Sequence, residues 1–175
     1  MVKISNEEKK EPKLQPPPQQ ILYRHGKEKE FELYIKENAF QSLLEHCNKM
    51  AEENKEAMGF LVGDVKYWNK EYAVVYDIAT ASLDASPYHV KFRKDAFEEL
   101  FNKLDEISFD YILVGWYHSH PGYSSFMSEI DVETQRKYFN KSFHVALVVD
   151  PIKKEIKAFK LKNSECVEIG YAIVK

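Results

Sequence analysis

The chain of 175 residues contains only two cysteines, Cys47 and Cys166, and it has no block of basic residues. Two cysteines that lie far apart, outside any Cys-x-x-Cys motif, exclude a zinc finger or a disulfide scaffold and favour a reducing compartment. The 25 basic and 28 acidic side chains are mixed along the sequence and give a net charge of −3. Nucleic acid is therefore not an expected partner.

Long apolar runs are also missing from the sequence. No run approaches the roughly 18 residues that a membrane-spanning helix needs, and the first residues are charged rather than apolar like the core of a signal peptide. We therefore expect no membrane association and a cytoplasmic location. The chain does have 44% hydrophobic and 14% aromatic residues, which is enough for one globular core without covalent staples.

The sequence divides into a polar leader and one domain. Residues 1–20, MVKISNEEKKEPKLQPPPQQ, carry charges, glutamines and the prolines Pro16 to Pro18, with little to bury, which predicts a disordered tail. A polyproline ligand is the alternative, but no aromatic or basic specificity residues accompany the prolines. We predict that residues 21–175 form one globular domain, with ordered structure beginning near Phe31.

Hydrophobic periodicity predicts an α+β fold in which a mixed β-sheet packs against helices. Apolar residues at steps of three and four predict helices at about 37–53 and 94–107, and a third helix is expected from Ser128 to about Phe139. Runs of β-branched and aromatic residues predict the strands. These are FELYI, a hairpin of EAMGFLVGDV and KEYAVVYDIATA, the doubly buried strand YILVGWY, and then FHVALVVD, EIKAFKL and VEIGYAIV.

Polar side chains follow the buried strand in the stretch GWYHSHPGYSSFMSEID, residues 115–131. Residues i and i+2 of an extended chain point to the same side, about 6.6 Å apart, so His118 and His120 can face one ion. Together with Asp131 they offer two nitrogens and one carboxylate oxygen, a set that suits Zn²⁺ with a fourth position left for water. Such an open site is typical of a catalytic zinc.

Helix capping explains part of the same stretch without a metal. Ser128 and Asp131 form a capping box, in which a serine hydroxyl and an acidic side chain satisfy free backbone amides at a helix start. Histidines at a strand end can be ordinary hydrogen-bonding residues. Spacing alone therefore leaves a metal site and a capped turn equally well supported.

The same stretch resembles a known family, the JAMM (MPN+) zinc metalloproteases. Their pattern H-x-H-x7-S-x2-D is matched by His118, His120, Ser128 and Asp131. The segments GWYHSHPGY and SEIDVETQ are similar to those of the deubiquitinating proteasome-lid subunit and the signalosome isopeptidase subunit. Upstream, EAMGFLVG is similar to the family's first core strand, in which a glutamate precedes Met-Gly. The resemblance covers roughly residues 30–160, and a motif with such strict spacing is a specific signal.

The resemblance implies an MPN/JAMM fold, which is like that of cytidine deaminases, and a role for each motif residue. One Zn²⁺ per chain would be held by His118, His120 and Asp131. Glu56 would be the general base, and Ser128 would donate a hydrogen bond to the oxyanion of the intermediate. The implied activity is that of a zinc isopeptidase, a hydrolase that removes ubiquitin or a ubiquitin-like modifier from lysine side chains.

The resemblance also implies a binding wall for the extended tail of the modifier. SPYHVKF, residues 86–92, occupies the place of the family's flexible insertion, which makes Tyr88 and Val90 expected substrate-binding residues. The relatives usually have Cys-Trp before the Leu-Ser of the motif, where this chain has Ser125 and Phe126. An aromatic is retained, so Phe126 is the third expected substrate-binding residue, but the change leaves open whether ubiquitin or a smaller modifier is preferred.

Implied partners are conjugates of ubiquitin or of a ubiquitin-like protein, together with a second MPN-domain chain or the proteasome. Two alternatives to the isopeptidase are a catalytically silent MPN scaffold subunit and a JAMM amidase that acts on a sulfur-carrier protein conjugate. Silent members typically lose one or more ligands, and this sequence has all of them. The amidase would use the same zinc chemistry, so the sequence does not separate it from the isopeptidase.

Overall fold

The computed structural model describes residues 13–80, 83–85, 90–92, 95–106 and 111–175. Within these residues the helices are α1 (Glu37–Glu52), α2 (Ala96–Glu106) and α3 (Glu129–Tyr138). The strands are β1 (Lys13–Leu14), β2 (Ile21–His25), β3 (Leu33–Lys36), β4 (Met58–Tyr67), β5 (Glu71–Thr80), β6 (Leu83–Ala85), β7 (Val90–Phe92), β8 (Ile112–Ser119), β9 (Val145–Asp150), β10 (Glu155–Lys162), β11 (Glu165–Ile169) and β12 (Tyr171–Val174). The predicted mixture of sheet and helices is confirmed. No helix in the described part of the chain is both long and apolar enough to cross a membrane.

One mixed sheet forms the framework, in the order β11-β10-β9-β8-β4-β5-β3-β12-β2, with β1 added in parallel to β4. The central strand β8 runs antiparallel to β4 and parallel to β9. The end of β8 therefore lies between the start of β4 and the end of β9. Strand ends that meet at one edge of a sheet bring together residues that are distant in sequence. The small hairpin of β6 and β7 is separate from this sheet.

Strand β8 is buried on both faces, as its unbroken apolar sequence predicts. Leu61 pairs with Gly115 and Val62 with Leu113, so Val114 is an extra residue in β8 that interrupts the alternation of faces. Val114 and Tyr117 therefore join one hydrophobic core while Leu113 and Trp116 join another. Helix α1 covers the first core with Leu43 and other buried residues that recur at four-residue steps. The second core lies under α2 and the end of α3. A strand held on both faces is a rigid support for the residues at its end.

The predicted hairpin and helices agree with the structure to within a few residues. β4 and β5 pair antiparallel, as EAMGFLVGDV and KEYAVVYDIATA predict. The helix predicted at 37–53 is α1, and the helix predicted from Ser128 is α3, with Ser128 as its N-cap. Of the helix predicted at about 94–107, the described part is α2. Local patterns sufficed for these elements, because the helices have apolar residues at steps of three and four and the strands are rich in β-branched and aromatic residues.

The tail prediction needs a correction for residues 13–20, and residues 1–12 lie outside the described part of the chain. Lys13 and Leu14 pair in parallel with β4, and the backbone of Gln15 donates to the carbonyl of Tyr67 at 3.0 Å. The Tyr72 hydroxyl donates in turn to the Gln15 carbonyl at 2.6 Å. Ordered structure also precedes Phe31, because β2 pairs with β12. Pairing with a distant strand thus orders a segment whose polar composition predicts disorder.

The C-terminal segment VEIGYAIV is two strands, so the prediction of one strand is wrong. β11 pairs with β10, whereas β12 pairs with β3 and β2 near the other end of the sheet order. The break falls at Gly170, where a Cβ atom would collide with the carboxylate of Glu28. Because a single residue joins strands from opposite ends, the sheet must curl. His25 on β2 accordingly lies 3.5 Å from Glu168 on β11, measured from Nε2 to Oε2.

Candidate metal centre

The predicted site residues come from three elements that meet at the end of β8. β8 delivers His118 and, one residue past its end, His120. The loop that follows leads to α3, whose first turn carries Asp131. The antiparallel register pairs Met58 with His118, so the residues just before β4, including Glu56, lie opposite the chain at His120. The structure thus brings together the residues that the motif predicted from separate parts of the sequence.

Three potential ligand atoms converge in the buried interior of this site. Oδ2 of Asp131 lies 3.0 Å from Nε2 of His118 and 3.2 Å from Nε2 of His120. Each of the three residues is buried, and their ligand atoms all lie within 4.8 Å of one another. A tetrahedral zinc with bonds of about 2.1 Å separates its ligand atoms by about 3.4 Å, which is close to the observed spacing.

His118 is held by its neighbours without using either ring nitrogen. Its ring stacks on Trp116 with centroids 4.5 Å apart and planes 16° apart. Both nitrogens are buried and have no hydrogen-bond partner among the described residues. Buried polar atoms are nearly always satisfied, so this pair calls for an additional partner. Burial lowers the pKa of His118, although the nearby Asp131 carboxylate raises it, and the net lowering favours the neutral imidazole that binds metals.

His120 has a defined tautomer. Its Nδ1 lies 3.1 Å from the carbonyl oxygen of Ser124. A carbonyl can only accept, so Nδ1 carries a proton, and the neutral ring presents the lone pair of Nε2 to the site. Burial lowers the pKa of His120, but in the protonated ring Nε2 also donates to Asp131, and this hydrogen bond and the charge of the carboxylate raise the pKa above its ordinary value.

Asp131 caps α3 and faces the histidines with the same oxygen. The backbone nitrogen of Ser128 donates to Oδ2 of Asp131 at 2.9 Å, and the backbone nitrogen of Asp131 donates to Oγ of Ser128 at 3.2 Å. Burial raises the pKa of Asp131, but the adjacent His118 and His120 hold it well below its usual range, so the side chain is a carboxylate. Capping and metal coordination are therefore compatible in this geometry rather than alternatives. The Ser128 hydroxyl accepts from the helix and keeps its own proton to donate outward.

Glu56 is held beside the histidines through Ser119, the residue between them. The backbone nitrogen of Ala57 donates to Oγ of Ser119 at 2.7 Å, and the backbone nitrogen of Ser119 donates to the carbonyl of Ala57 at 3.0 Å. Burial raises the pKa of the half-buried Glu56 carboxyl to about 7, with His120 lowering it and Asp131 raising it further. A carboxyl with this pKa exchanges protons readily near neutral pH.

Sequence reasoning missed two supporting residues, Gln135 and Asp150. Gln135 lies one helical turn after Asp131, accepts a hydrogen bond from Nε1 of Trp116, and donates to the carbonyl of Phe139 at 3.1 Å. Its spacing of four residues from Asp131 is a signal that could have placed it on the inward face of α3. The buried carboxylate of Asp150 accepts from backbone nitrogens of the loop that follows His120. No local sequence pattern predicts that contact, because it depends on β8 and β9 lying side by side.

Phe126 is the one predicted substrate-binding residue whose side chain the structure describes. Its ring lies 4.9 Å from the His120 ring and is 47% exposed. Tyr123 lies nearby, 6.5 Å from His120, and is 54% exposed, although the sequence did not single it out. Val90 begins β7, but its side chain lies outside the described part, and so does all of Tyr88.

Comparison with known proteins identifies the family. The mixed sheet with a His-His-Asp cluster at a central strand end defines a domain of the MPN type. A family model described as JAB1/Mov34/MPN/PAD-1 ubiquitin protease matches residues 30–141, which is more than half of the chain. The chain belongs to this family, so the predicted JAMM/MPN+ membership and MPN fold are confirmed.

Similar proteins include subunits of two large complexes. The chain is 36% identical over 137 residues to the 26S proteasome regulatory subunit RPN11 of Eremothecium gossypii, covering 74% of this chain and 42% of that protein. It is 34% identical to the ubiquitin carboxyl-terminal hydrolase RPN11 of Saccharomyces cerevisiae, covering 74% of this chain and 43% of that protein. It is 35% identical to the COP9 signalosome complex subunit 5 of Kluyveromyces lactis, covering 56% of this chain and 26% of that protein. The chain thus spans less than half the length of these relatives.

A solved structure shares the fold. The solution structure of protein DSY2949 from Desulfitobacterium hafniense aligns with a TM-score of 0.57 at 25% identity. The alignment covers 78% of this chain and 88% of that chain.

Proposed function

We propose that this protein is a zinc-dependent isopeptidase that removes ubiquitin or a ubiquitin-like modifier from lysine side chains of target proteins. The observation that carries the proposal is the convergence of three buried ligand atoms, from His118, His120 and Asp131, beside a carboxyl of near-neutral pKa. A structural zinc site would normally use four protein ligands, often cysteines. Three ligands without a thiol leave a position open for chemistry.

The two imidazole nitrogens and the carboxylate oxygen of this site are ligands that suit zinc. His118 and His120 would bind through Nε2 and Asp131 through Oδ2, the atoms that already face one another. The unpartnered Nε2 of His118 would gain a partner, and the Ser124 carbonyl already keeps the proton of His120 on its other nitrogen. A zinc ion held there would supply a water with a pKa lowered to about 7 and would polarise the carbonyl to be cleaved.

Glu56 and Ser128 would carry the proton transfer and the charge stabilisation. Glu56 would take a proton from the attacking water and deliver it to the departing lysine amine, since its pKa of about 7 suits both steps. Ser128 would donate its hydroxyl proton to the oxygen that becomes negative during attack. Its position as the N-cap of α3 gives that donor a rigid support.

The relatives' names support the substrate class and the partners. One is named a ubiquitin carboxyl-terminal hydrolase, and others are named proteasome and signalosome subunits. We extend these roles to conjugates of ubiquitin-like proteins as substrates, and to a second MPN-domain chain or the proteasome as a partner in the cytoplasm. Phe126 would contact the modifier tail from the exposed side of the site, and Tyr88 and Val90 would pair with it.

The test combines metal analysis with conjugate cleavage by the full chain. We expect one zinc per chain, cleavage of a lysine isopeptide conjugate, loss of cleavage on chelation, and its return when zinc is added. Glu56→Gln should keep the zinc and lose at least about a hundredfold in kcat, because a general base typically contributes that much or more. Cleavage that survives both chelation and Glu56→Gln would contradict the proposal.

The same assay separates the alternatives. Stoichiometric zinc without cleavage of any conjugate would favour a silent scaffold. Cleavage of a sulfur-carrier amide of a small thiol product, but not of lysine isopeptides, would favour the amidase. Ubiquitin and smaller ubiquitin-like conjugates should therefore be compared side by side with that amide.

A further inference from the structure

The buried carboxylate of Asp150 gathers backbone amides from two loops. Asp150 ends β9 and has no solvent exposure. Its Oδ1 accepts from the nitrogens of Gly122 at 2.9 Å, Ile152 at 3.0 Å and Lys153 at 3.0 Å. Its Oδ2 accepts from the nitrogen of Ser124 at 2.8 Å. Burial raises the pKa of Asp150, but these amides outweigh it and hold the pKa below its usual value, so the acceptor is charged.

These hydrogen bonds join the turn between β9 and β10 to the loop that follows His120. Further contacts reinforce the same junction. Nζ of Lys153 donates to Oγ of Ser124 at 2.7 Å. Oε1 of Glu155 accepts from the nitrogen of Ser125 at 2.8 Å, and Oγ of Ser125 donates to the Glu155 carbonyl at 2.8 Å. The loop after His120 is thus held against β9 and β10 rather than left to solvent.

Ser124 has a backbone conformation that a serine rarely adopts. Its φ is +76°, in the left-handed region, which disfavours non-glycine residues by roughly 1–2 kcal/mol. The hydrogen bond from the Ser124 amide to Asp150 offsets the cost of this backbone conformation. In that conformation the Ser124 carbonyl accepts the Nδ1 proton of His120 at 3.1 Å. The tautomer of a histidine is set by the hydrogen bond of its other nitrogen, so this contact directs the lone pair of Nε2 into the site.

We propose that Asp150 is a positioning residue for His120 and acts through the backbone of Ser124. The carboxylate holds the Ser124 amide, the Ser124 carbonyl holds Nδ1 of His120, and Nε2 is thereby aimed at the position of the ion. Asp150 itself contacts neither the ligand atoms nor the open side of the site. The inference rests on the proposed function for the identity of the ion, and it predicts a role for Asp150 in metal affinity.

The substitution Asp150→Asn isolates this role, because the two carboxylate oxygens have different partners. With the amide oxygen in place of Oδ1, the bonds from Gly122, Ile152 and Lys153 remain. The amide nitrogen then takes the place of Oδ2 and meets the Ser124 amide, donor against donor. In the reverse orientation the new amide nitrogen would face three backbone donors instead of one. The orientation that keeps the amide oxygen at the position of Oδ1 is therefore expected. Asp150→Asn should therefore break the one link that leads to His120.

Ser124→Pro tests the same link from its other end and supplies a second variant if Asp150→Asn does not fold. Proline removes the Ser124 amide and locks φ near −65°, while Asp150 and its three other bonds stay. Two substitutions serve as matched controls. Ser124→Ala keeps the backbone amide and carbonyl and removes only the contact to Lys153. Asp77→Asn makes the same chemical change as Asp150→Asn at an exposed carboxylate.

The experiment measures zinc affinity by competition with a chromophoric chelator, and the His120 tautomer by nitrogen NMR of the metal-free protein. We expect Asp150→Asn and Ser124→Pro to weaken zinc binding roughly tenfold, as for other outer contacts of metal ligands. The Nδ1 proton of His120 should give way to a mixture of tautomers. Both controls should match the wild type. A folded Asp150→Asn with wild-type affinity and an unchanged tautomer would overturn the inference.

Failure of the proposed function gives a different result. A wild-type chain that binds no zinc contradicts the metal centre. A wild-type chain that binds zinc but cleaves no conjugate contradicts the isopeptidase and leaves the positioning role standing on its affinity and tautomer readouts.

Discussion

Nε2 of His118 lies 3.0 Å from Oδ2 of Asp131, both residues are buried, and the ring is not aligned for a hydrogen bond to that oxygen. Two such atoms are satisfied either by a shared proton or by a cation that both of them bind. A cation satisfies both, because the imidazole lone pair and the carboxylate are each electron donors. This relationship leads to the first prediction.

Zinc should stabilise the fold through His118. With free zinc at a thousand times its dissociation constant, linkage gives a gain of about 4 kcal/mol in the free energy of unfolding. His118→Ala should lose most of that gain, whereas His25→Gln, at a histidine outside the cluster, should keep it. Denaturant unfolding with zinc or with chelator measures both. Equal stabilisation of His118→Ala by zinc would mean that the ion binds elsewhere.

Stability of the metal-free protein should depend on the protonation of Glu56. Its carboxyl has a pKa of about 7 in the folded chain, against 4.5 ordinarily, so the unfolded chain releases this proton first as pH rises. The contribution of Glu56 to stability therefore falls between pH 4.5 and about 7. Glu56→Gln should abolish that decline, and carbon NMR should show the Glu56 carboxyl titrating near neutral pH. Titration near its ordinary value would contradict the prediction.

Ser128 should contribute separately to the helix and to the reaction. Ser128→Ala removes the cap of α3 and should lower the free energy of unfolding by about 1 kcal/mol. It should also lower kcat by roughly a hundredfold to a thousandfold, because the oxyanion donor is lost. Ser128→Thr keeps the hydroxyl and should preserve most of both. Loss of stability without loss of kcat in Ser128→Ala would leave Ser128 as a cap alone.

His144 should make the domain sensitive to acid. The backbone nitrogen of Lys141 donates to its Nδ1 at 3.1 Å, and its Nε2 donates to the carbonyl of Leu113 at 3.2 Å, an arrangement that requires the neutral ring. Burial lowers the pKa of His144 to about 4. The unfolded chain is protonated first as pH falls, so stability is lost from about pH 6.5 down to pH 4, by up to about 3 kcal/mol.

Comparison with His144→Gln isolates this contribution, because the other titrating groups are common to both chains. Urea unfolding of the metal-free proteins at pH 7.5 and pH 4.5 should show a smaller loss for His144→Gln than for the wild type. His25→Gln, the same change at a more exposed histidine, should lose as much as the wild type. Equal losses in all three would place the acid sensitivity elsewhere.

The local elements and the site motif could be predicted from the sequence. Helix α1 follows from apolar residues at steps of three and four along one buried face, and β4 and β5 follow from their β-branched and aromatic content. The unbroken apolar run of β8 indicated a strand buried on both faces. The motif placed His118, His120, Ser128 and Asp131 near one another, because their spacing leaves room for one turn and one helix start.

The tertiary structure alone decided which distant strands pair. β11 and β12 are one apolar run in the sequence, and only their pairing with opposite ends of the sheet order separates them at Gly170. β1 and β2 are short and mostly exposed, and they are ordered by pairing with strands far along the chain. Strands pair through backbone hydrogen bonds, which do not depend on the local side-chain pattern.

The support around the site was likewise decided by the tertiary structure. The sequence motif predicts that His120 binds the metal, but it does not predict which tautomer His120 adopts. That depends on the Ser124 carbonyl, and therefore on Asp150 from a neighbouring strand. The identity of the residues in the site follows from the sequence motif, because the chemistry of a side chain and its spacing along the chain are local. The packing of β4, β8 and β9 decided how those residues are aimed, because orientation comes from contacts between segments that are distant in sequence.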